Sequence, residues 1–396
     1  MKKKVAVLGA TGSIGKSTLD VLRNGRDRFE PVLFTSHTKG EELLKLKEEF
    51  PAALTALAAP QSLLADPQSL LADDLPPSLR GIDFWGRQGL LDAIAAAGAD
   101  ITVNGITGAA GLEPSAAVLN AGSDLALANK ETMVMAGPLI FALAREKNVR
   151  VIPVDSEHTA ILKLLEAHGR NNTREIILTA SGGPFRNYSL EKLARVTPQE
   201  ALAHPTWNMG PKISVDSATL ANKGLEVIEA AMYFGFPPGK IKVVIHPQSI
   251  VHSMIRLSDG AVYAQMSNPD MRLTIHDALT WPETEYSPFG VLDFDSLTLS
   301  FEQPDFEKFP MLALAYKALR GGPLLPAVYN AANETAVEAF FREKIRFLEI
   351  PRIVEYVLEQ DNSLSGAGSP AADIETVLER DRAARKLAEE FIASGI

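Results

Sequence analysis

The chain contains no cysteine. Disulfides, thiolate metal sites and a thiol nucleophile are excluded together, and the composition fits a reducing, cytoplasmic setting. Long hydrophobic runs are missing too: no window approaches the roughly 18 apolar residues of a membrane span. Lys2-Lys3-Lys4 resembles the start of a signal peptide, but the apolar run after it stops at Gly9, short of an h-region. Positive charge is in deficit, with 39 Lys and Arg against 49 Asp and Glu for a net charge of -10. Such a chain has no global field to draw it to nucleic acid or to an anionic membrane, so a small phosphorylated ligand must be held by local groups. What is present is 396 residues, 46% hydrophobic and 22% charged. That is ordinary for a globular protein and enough for two or three packed domains.

The stretch Pro153-Val154-Asp155-Ser156-Glu157-His158 organises the chain. It follows Val149 to Ile152, a β-branched run that reads as a buried strand. Residues two apart on an extended chain share a side, which sends the carboxylates of Asp155 and Glu157 into one small volume. A hard divalent cation such as Mg²⁺ or Mn²⁺ cancels their repulsion with oxygen ligands and keeps open positions for substrate. A solvated loop is the plain alternative for an isolated Asp-x-Glu. Glu226 supplies a third acid.

Val5 to Leu8 reads as a short buried strand followed by Gly9-Ala10-Thr11-Gly12-Ser13-Ile14-Gly15 and a helical pattern through Leu19, Leu22 and Phe29. Strand, glycine turn, helix is the context in which backbone N–H groups and a helix N-terminus face a pyrophosphate. The second strand, Pro31 to Thr35, ends in Ser36-His37-Thr38-Lys39 with no acid before Glu41, which favours NADP over NAD. Further strands at Asp100 to Asn104 and Asp124 to Ala128 lead into Gly105 to Gly111, a second glycine turn, and into Asn129-Lys130-Glu131. Lys130 is a candidate to face both cofactor and substrate, or else part of a solvated loop.

Glu175 to Ala180 reads as a strand running into Ser181-Gly182-Gly183-Pro184, either an anion-binding nest or an ordinary turn. His204 to Gly210 is a loop with Trp207 and Met209, of the kind that closes over ligands. Ile213 to Asp216 reads as a strand and Ser217 to Glu229 as one helix, with Asn222, Lys223, Glu226 and Glu229 on one face. The middle region is α+β in flavour. From Met311 the pattern is helical, at 311–320, 327–341, 348–360 and 373–393, with 363–370 as the longest connection. The near-repeat of Gln61 to Pro67 by Gln68 to Asp74 is too short for a solenoid and reads as a peripheral duplication. The expected architecture is α/β: a Rossmann-like NADP-binding domain over 1–150, an α+β catalytic domain over 151–285, a linker over 286–311 and a C-terminal helical bundle over 312–396.

With these residues in view, the chain resembles the 1-deoxy-D-xylulose 5-phosphate reductoisomerase family. The resemblance is carried by Gly9 to Gly15, Leu127 to Glu131, Asp155 to His158, Ala180 to Phe185, His204 to Gly210, Lys212 to Glu226 and Asn330 to Glu334. It implies one divalent cation held by Asp155, Glu157 and Glu226. It implies that Ser181, Ser217, Asn222 and Lys223 hold a substrate phosphate with His204 close by, and that Ser156 and Lys130 contact the reacting hydroxyls. Trp207 and Met209 would cover the substrate. Thr11, Gly12, Ser13, Ile14, Asn129, Glu131 and Gly210 would line NADPH, with His37, Thr38 and Lys39 near its 2′-phosphate. The implied chemistry is a retro-aldol and aldol rearrangement followed by hydride transfer, in a homodimer. A rival reading is a metal-free short-chain reductase or epimerase using Tyr188 and Lys192, which form a Tyr-x-x-x-Lys.

Overall fold

The structure, a computed structural model, describes residues 1–59, 79–203, 206–207, 209–364 and 373–395. The seven-residue duplication and most of the 363–370 connection lie outside the described residues. The chain forms two compact units. None of the described helices is long and apolar enough to cross a membrane.

The first unit comprises Met1–Asn129, Ile140–Asp155 and Asp270–Phe289. Its sheet contains β1 (Lys3–Leu8), β2 (Phe29–Ser36), β3 (Leu54–Leu57), β4 (Phe84–Trp85), β5 (Ile101–Asn104), β6 (Asp124–Leu127) and β7 (Val151–Pro153). The order is β4-β3-β2-β1-β5-β6-β7 and every pairing is parallel. Strands covered on both faces are buried without alternation: Val5 to Leu8 is apolar throughout, and in Ile101 to Asn104 the polar Thr102 and Asn104 are buried with hydrogen-bond partners in Ser123 and Ser115. The order reverses between β1 and β5, so the turn after β1 sits at the switch point of a doubly wound sheet. The helix Ser13–Asn24 turns Thr18, Leu19, Val21 and Leu22 inward. Phe29 starts β2 instead of continuing that helix, because the chain turns at Gly25. The segment 270–289, placed on sequence grounds with the middle region up to 285 and with the linker beyond, contributes the helix Met271–Thr280, whose Ile275 and Leu279 join the first unit's core.

The second unit holds a mixed sheet of β8 (Thr173–Ala180), β9 (Ile241–Ile245), β10 (Val251–Leu257) and β11 (Val262–Met266), in the order β11-β10-β8-β9. Only β8 and β9 run parallel within it. The helices Met311–Gly321, Leu325–Phe341, Ile350–Leu364 and Ile374–Ala393 follow the sequence pattern closely and share this unit's core. Gly224 sets one close approach. A Cβ there would lie 2.7 Å from the Ala315 Cβ and 2.8 Å from the Tyr329 Oη, so only glycine lets the helix Ala221–Phe234 pack so tightly.

Two local expectations fail. Ile213 to Asp216 is not a strand but part of the helix Pro211–Thr219. Pro211 at its first turn and Gly210 before it are helix-start signals that outweigh a β-branched run too short to show a period. Nor do Ser217 and Glu226 share one helix. Leu220 takes a left-handed φ of 62°, ending the first helix and opening Ala221–Phe234.

Candidate active site

In the first unit the chain leaves β1 through Gly9, whose φ of 78° is left-handed. A Cβ on Gly15 would stand 2.4 Å from the backbone of Gly9 and Ala10, so the helix can begin this close to the turn only with glycine there. Gly12 and Ser13 are exposed, with Thr11 and Ile14 half-buried beside them. The turn is pinned to β2: the Gly9 N–H donates to Thr35 Oγ1 at 3.0 Å, and Thr11 Oγ1 meets Ser36 Oγ at 2.9 Å. His37 and Lys39 are exposed and Thr38 half-buried, with Lys39 Nζ 3.0 Å from Glu42. Asn129 also has a local structural task. Its buried amide donates to the carbonyls of Ile106 at 2.8 Å and Gly108 at 2.9 Å, holding the second glycine turn in place.

In the second unit Lys130 and Glu131 open a helix that kinks at Ala136, two residues before Pro138. Both side chains are buried. Glu157 is likewise helical, in the first turn of Ser156–His168. The alternation of an extended chain therefore does not bring Asp155 and Glu157 together. The turn from β7 into this helix does. Asp155, the residue bonded to Ser156, offers an oxygen within 4.8 Å of those of Glu157 and Glu226. The Ser156 hydroxyl donates to Glu157.

Glu226 is wholly buried and gathers several of the predicted residues around it. Its Oε1 accepts from Asn222 Nδ2 at 2.6 Å and from Lys130 Nζ at 3.4 Å, while Lys130 also donates to Asn222 Oδ1 at 2.7 Å. Its Oε2 accepts from Lys223 Nζ, which donates in addition to Glu157 Oε1 at 2.6 Å. Behind it His158 Nε2 lies 3.0 Å from the Glu226 carbonyl, and His158 Nδ1 lies 3.8 Å from Glu229. His158 and Glu229, with Asp155, form a second candidate ligand group.

The Ser181 turn carries Gly182 and Gly183 at φ of 84° and 69°. A Cβ on Gly183 would sit 2.6 Å from the Ser217 carbonyl oxygen, so this turn lies directly against the helix that carries Ser217. Ser181 Oγ accepts from the Gly183 N–H at 3.2 Å. Trp207 and Met209 are half-buried, with the Trp207 ring 6.4 Å from that of His252. His204 lies outside the described residues.

Lys212 and Asp216 were not singled out on sequence grounds. Lys212 Nζ contacts Glu131 Oε1 at 2.6 Å and Asp216 Oδ2 at 2.9 Å, and Asp216 Oδ1 accepts from Asn333 at 2.8 Å. Burial alone would raise the Glu131 carboxyl's pKa, but the adjacent Lys212 ammonium outweighs it and holds it below the usual range. Burial opposes the charge of Lys212 as well, yet Asp216 and Glu131 hold its pKa well above the ordinary lysine value. The i,i+4 spacing of Lys212 and Asp216 just after Gly210-Pro211 was the available signal. Tyr188 and Lys192 form a packed pair, with Lys192 Nζ 3.5 Å from the Tyr188 ring centre.

A doubly wound parallel sheet with its glycine turn at the switch point, and a carboxylate cluster flanked by buried lysines, define an α/β dinucleotide-dependent oxidoreductase of metal-assisted type. Comparison with known proteins gives the particular family. A family model of 1-deoxy-D-xylulose 5-phosphate reductoisomerase matches residues 5–137, and models of the C-terminal domains match 151–234 and 266–387. A relative of that name from Thermosynechococcus vestitus is 45% identical, covering 100% of this chain and 94% of its own. One from Pelodictyon phaeoclathratiforme is 46% identical over 99% and 100%. The solved reductoisomerase of Zymomonas mobilis in complex with NADPH is 41% identical, covers 99% of each chain and superposes with a TM-score of 0.87. A DOX-P reductoisomerase in complex with NADPH, fosmidomycin and magnesium is 37% identical over 99% and 98%, with a TM-score of 0.89. The chain belongs to the 1-deoxy-D-xylulose 5-phosphate reductoisomerase family.

Proposed function

We propose that the chain isomerises and reduces 1-deoxy-D-xylulose 5-phosphate to 2-C-methyl-D-erythritol 4-phosphate, using NADPH and one divalent cation, in isoprenoid precursor biosynthesis. The observation that carries this reading is the clustering of Asp155, Glu157 and Glu226, one oxygen each within 4.8 Å, in a member of the family. Three hard oxygen donors suit Mg²⁺ or Mn²⁺. The Gly9 to Gly15 turn fits a pyrophosphate for a comparable reason: its glycines bring the backbone and a helix N-terminus together where a side chain would collide.

When bound, the cation polarises the ketone and neighbouring hydroxyl oxygens, and the nicotinamide supplies the hydride. The chain's own residues bind and orient. Lys130, hydrogen-bonded to Asn222 and Glu226, and Ser156, hydrogen-bonded to Glu157, would meet the reacting hydroxyls. Ser181, Ser217, Asn222 and Lys223 would hold the phosphate, and the loop bearing Trp207 and Met209 would exclude water. Thr11 to Ile14, Asn129, Glu131 and Gly210 would line NADPH, with His37, Thr38 and Lys39 beside its 2′-phosphate. A homodimer in the cytoplasm completes the reading, supported by the cysteine-free composition and by exposed Val262 and Tyr263 on β11, an outer strand.

The short-chain reductase reading is not favoured. Lys192 lies over the face of the Tyr188 ring, and the relatives that match along the whole chain are reductoisomerases. The test is NADPH oxidation with the sugar phosphate as substrate. Chelation should stop turnover while NADPH still binds, and added Mg²⁺ or Mn²⁺ should restore it. Full activity after complete metal removal would reject the proposal.

A further inference from the structure

Lys223 stands in a place where two demands conflict. Its buried ammonium donates to Glu157 Oε1 at 2.6 Å and to Glu226 Oε2, two of the three carboxylates that the proposed function gives to the cation. A dication held by those oxygens and an ammonium held by the same oxygens repel at close range, in a region where burial limits screening. Both cannot keep these contacts. We propose that Lys223 is an internal competitor of the cation: metal binding displaces its ammonium from Glu157 and Glu226, and only then is it free to hold the substrate's phosphate.

The geometry around Lys223 supports an exchange. It lies at the start of the helix Ala221–Phe234, one turn before Glu226, so a change of its side-chain torsions moves the ammonium while Glu226 stays in place. Glu226 keeps two other donors, Asn222 and Lys130, on its second oxygen. The Ser181 turn and Ser217, where the phosphate would go, lie within the same unit. Linkage then demands reciprocity. If the cation frees the phosphate-binding ammonium, an anion that captures that ammonium tightens the cation by the same factor.

This inference rests on the proposed metal site, and the experiment separates the two. Mn²⁺ binding to the full, metal-stripped chain is measured by electron paramagnetic resonance, with no substrate or NADPH, for wild type, Lys223→Met and Glu226→Gln. Loss of Mn²⁺ binding in Glu226→Gln supports the metal site, and unchanged affinity there removes that site whatever Lys223 does. Lys223→Met should bind Mn²⁺ about tenfold more tightly than wild type. Equal or weaker binding by a folded variant overturns the exchange. Should Lys223→Met fold poorly, Lys223→Gln and the thermal shift produced by Mn²⁺ give the same comparison, with a larger shift in the variant expected. A sulfate titration supplies the coupling: sulfate should tighten Mn²⁺ in wild type and do so markedly less in Lys223→Met. Equal tightening in both would remove Lys223 from the coupling.

Discussion

Lys212 is the residue whose loss has the most calculable effect. Its ammonium is the shared partner of two buried carboxylates, Glu131 at 2.6 Å and Asp216 at 2.9 Å. Lys212→Met keeps the length of the stem and removes the charge. Breaking a buried ion pair by deleting one partner costs about 3–5 kcal/mol, because the remaining charge stays desolvated. The pH dependence carries a definite sign. Glu131's folded pKa is depressed, so its stabilisation is present above the ordinary carboxyl value of about 4.3 and is lost as pH falls through the lower folded value. Lys212's folded pKa is raised, so its contribution is complete below about 10.4 and is lost only as pH rises through the higher folded value. The wild-type network is therefore intact between about pH 5 and pH 10. In the variant Glu131 loses the main charge that opposes burial, which favours its protonated form, so the penalty is largest near neutrality and shrinks on acidification. Urea unfolding of both proteins at pH 8 and at pH 5 measures this. A penalty below about 1 kcal/mol at pH 8, or one equal at the two pH values, would refute the reasoning. Glu131→Gln and Asp216→Asn added to Lys212→Met should recover most of the loss.

Gly15→Ala forces a Cβ to 2.4 Å from backbone atoms that cannot yield, so the turn must open. Overpacking of this kind costs about 1–3 kcal/mol, and NADPH affinity by fluorescence titration should fall by about tenfold or more. Gly183→Ala meets both a left-handed φ of 69° and the Ser217 carbonyl at 2.6 Å, so the Michaelis constant for the sugar phosphate should rise while NADPH affinity holds. Tyr188→Phe preserves the ring against Phe185 and Lys192, and turnover should stay within about twofold of wild type. A loss of catalysis with folding intact would revive the Tyr-x-x-x-Lys reading.

The first unit was legible because its signals are local. Val5 to Leu8, buried on both faces, is an unbroken apolar run, and Gly9 to Gly15 states its turn in seven letters. The helices after Met311 were equally plain, since each runs through several periods. Between 204 and 229 the signals conflict. Ile213 to Asp216 is β-branched and apolar enough for a strand, and only its position after Gly210-Pro211 and its packing make it helical. Leu220, a non-glycine residue in the left-handed region, gives no warning of the break it makes. The metal candidates were found for a partly mistaken reason: Asp155 and Glu157 converge through a helix start, not through strand alternation. Lys212 and Asp216 stayed hidden because a strand would send them to one side without making them partners, whereas on a helix four residues apart they meet.

Charge gives the arrangement its logic. A chain of net charge -10 cannot attract a phosphate at long range, so the work falls to single ammonium groups. Yet Lys130 and Lys223 both donate to Glu226, and Lys212 is held by Glu131 and Asp216. Pairing of this kind keeps lysines charged in a buried setting, and it also means that their charge is already answered before any phosphate arrives. Affinity for the phosphate then depends on something more highly charged taking over the carboxylates. A cation bound by Glu157 and Glu226 would do so, which would order the ligands: metal before sugar phosphate. The order can be read from initial rates, since sugar phosphate added to metal-stripped protein before Mn²⁺ should give a rate that follows Mn²⁺ binding, with no burst from a preformed substrate complex.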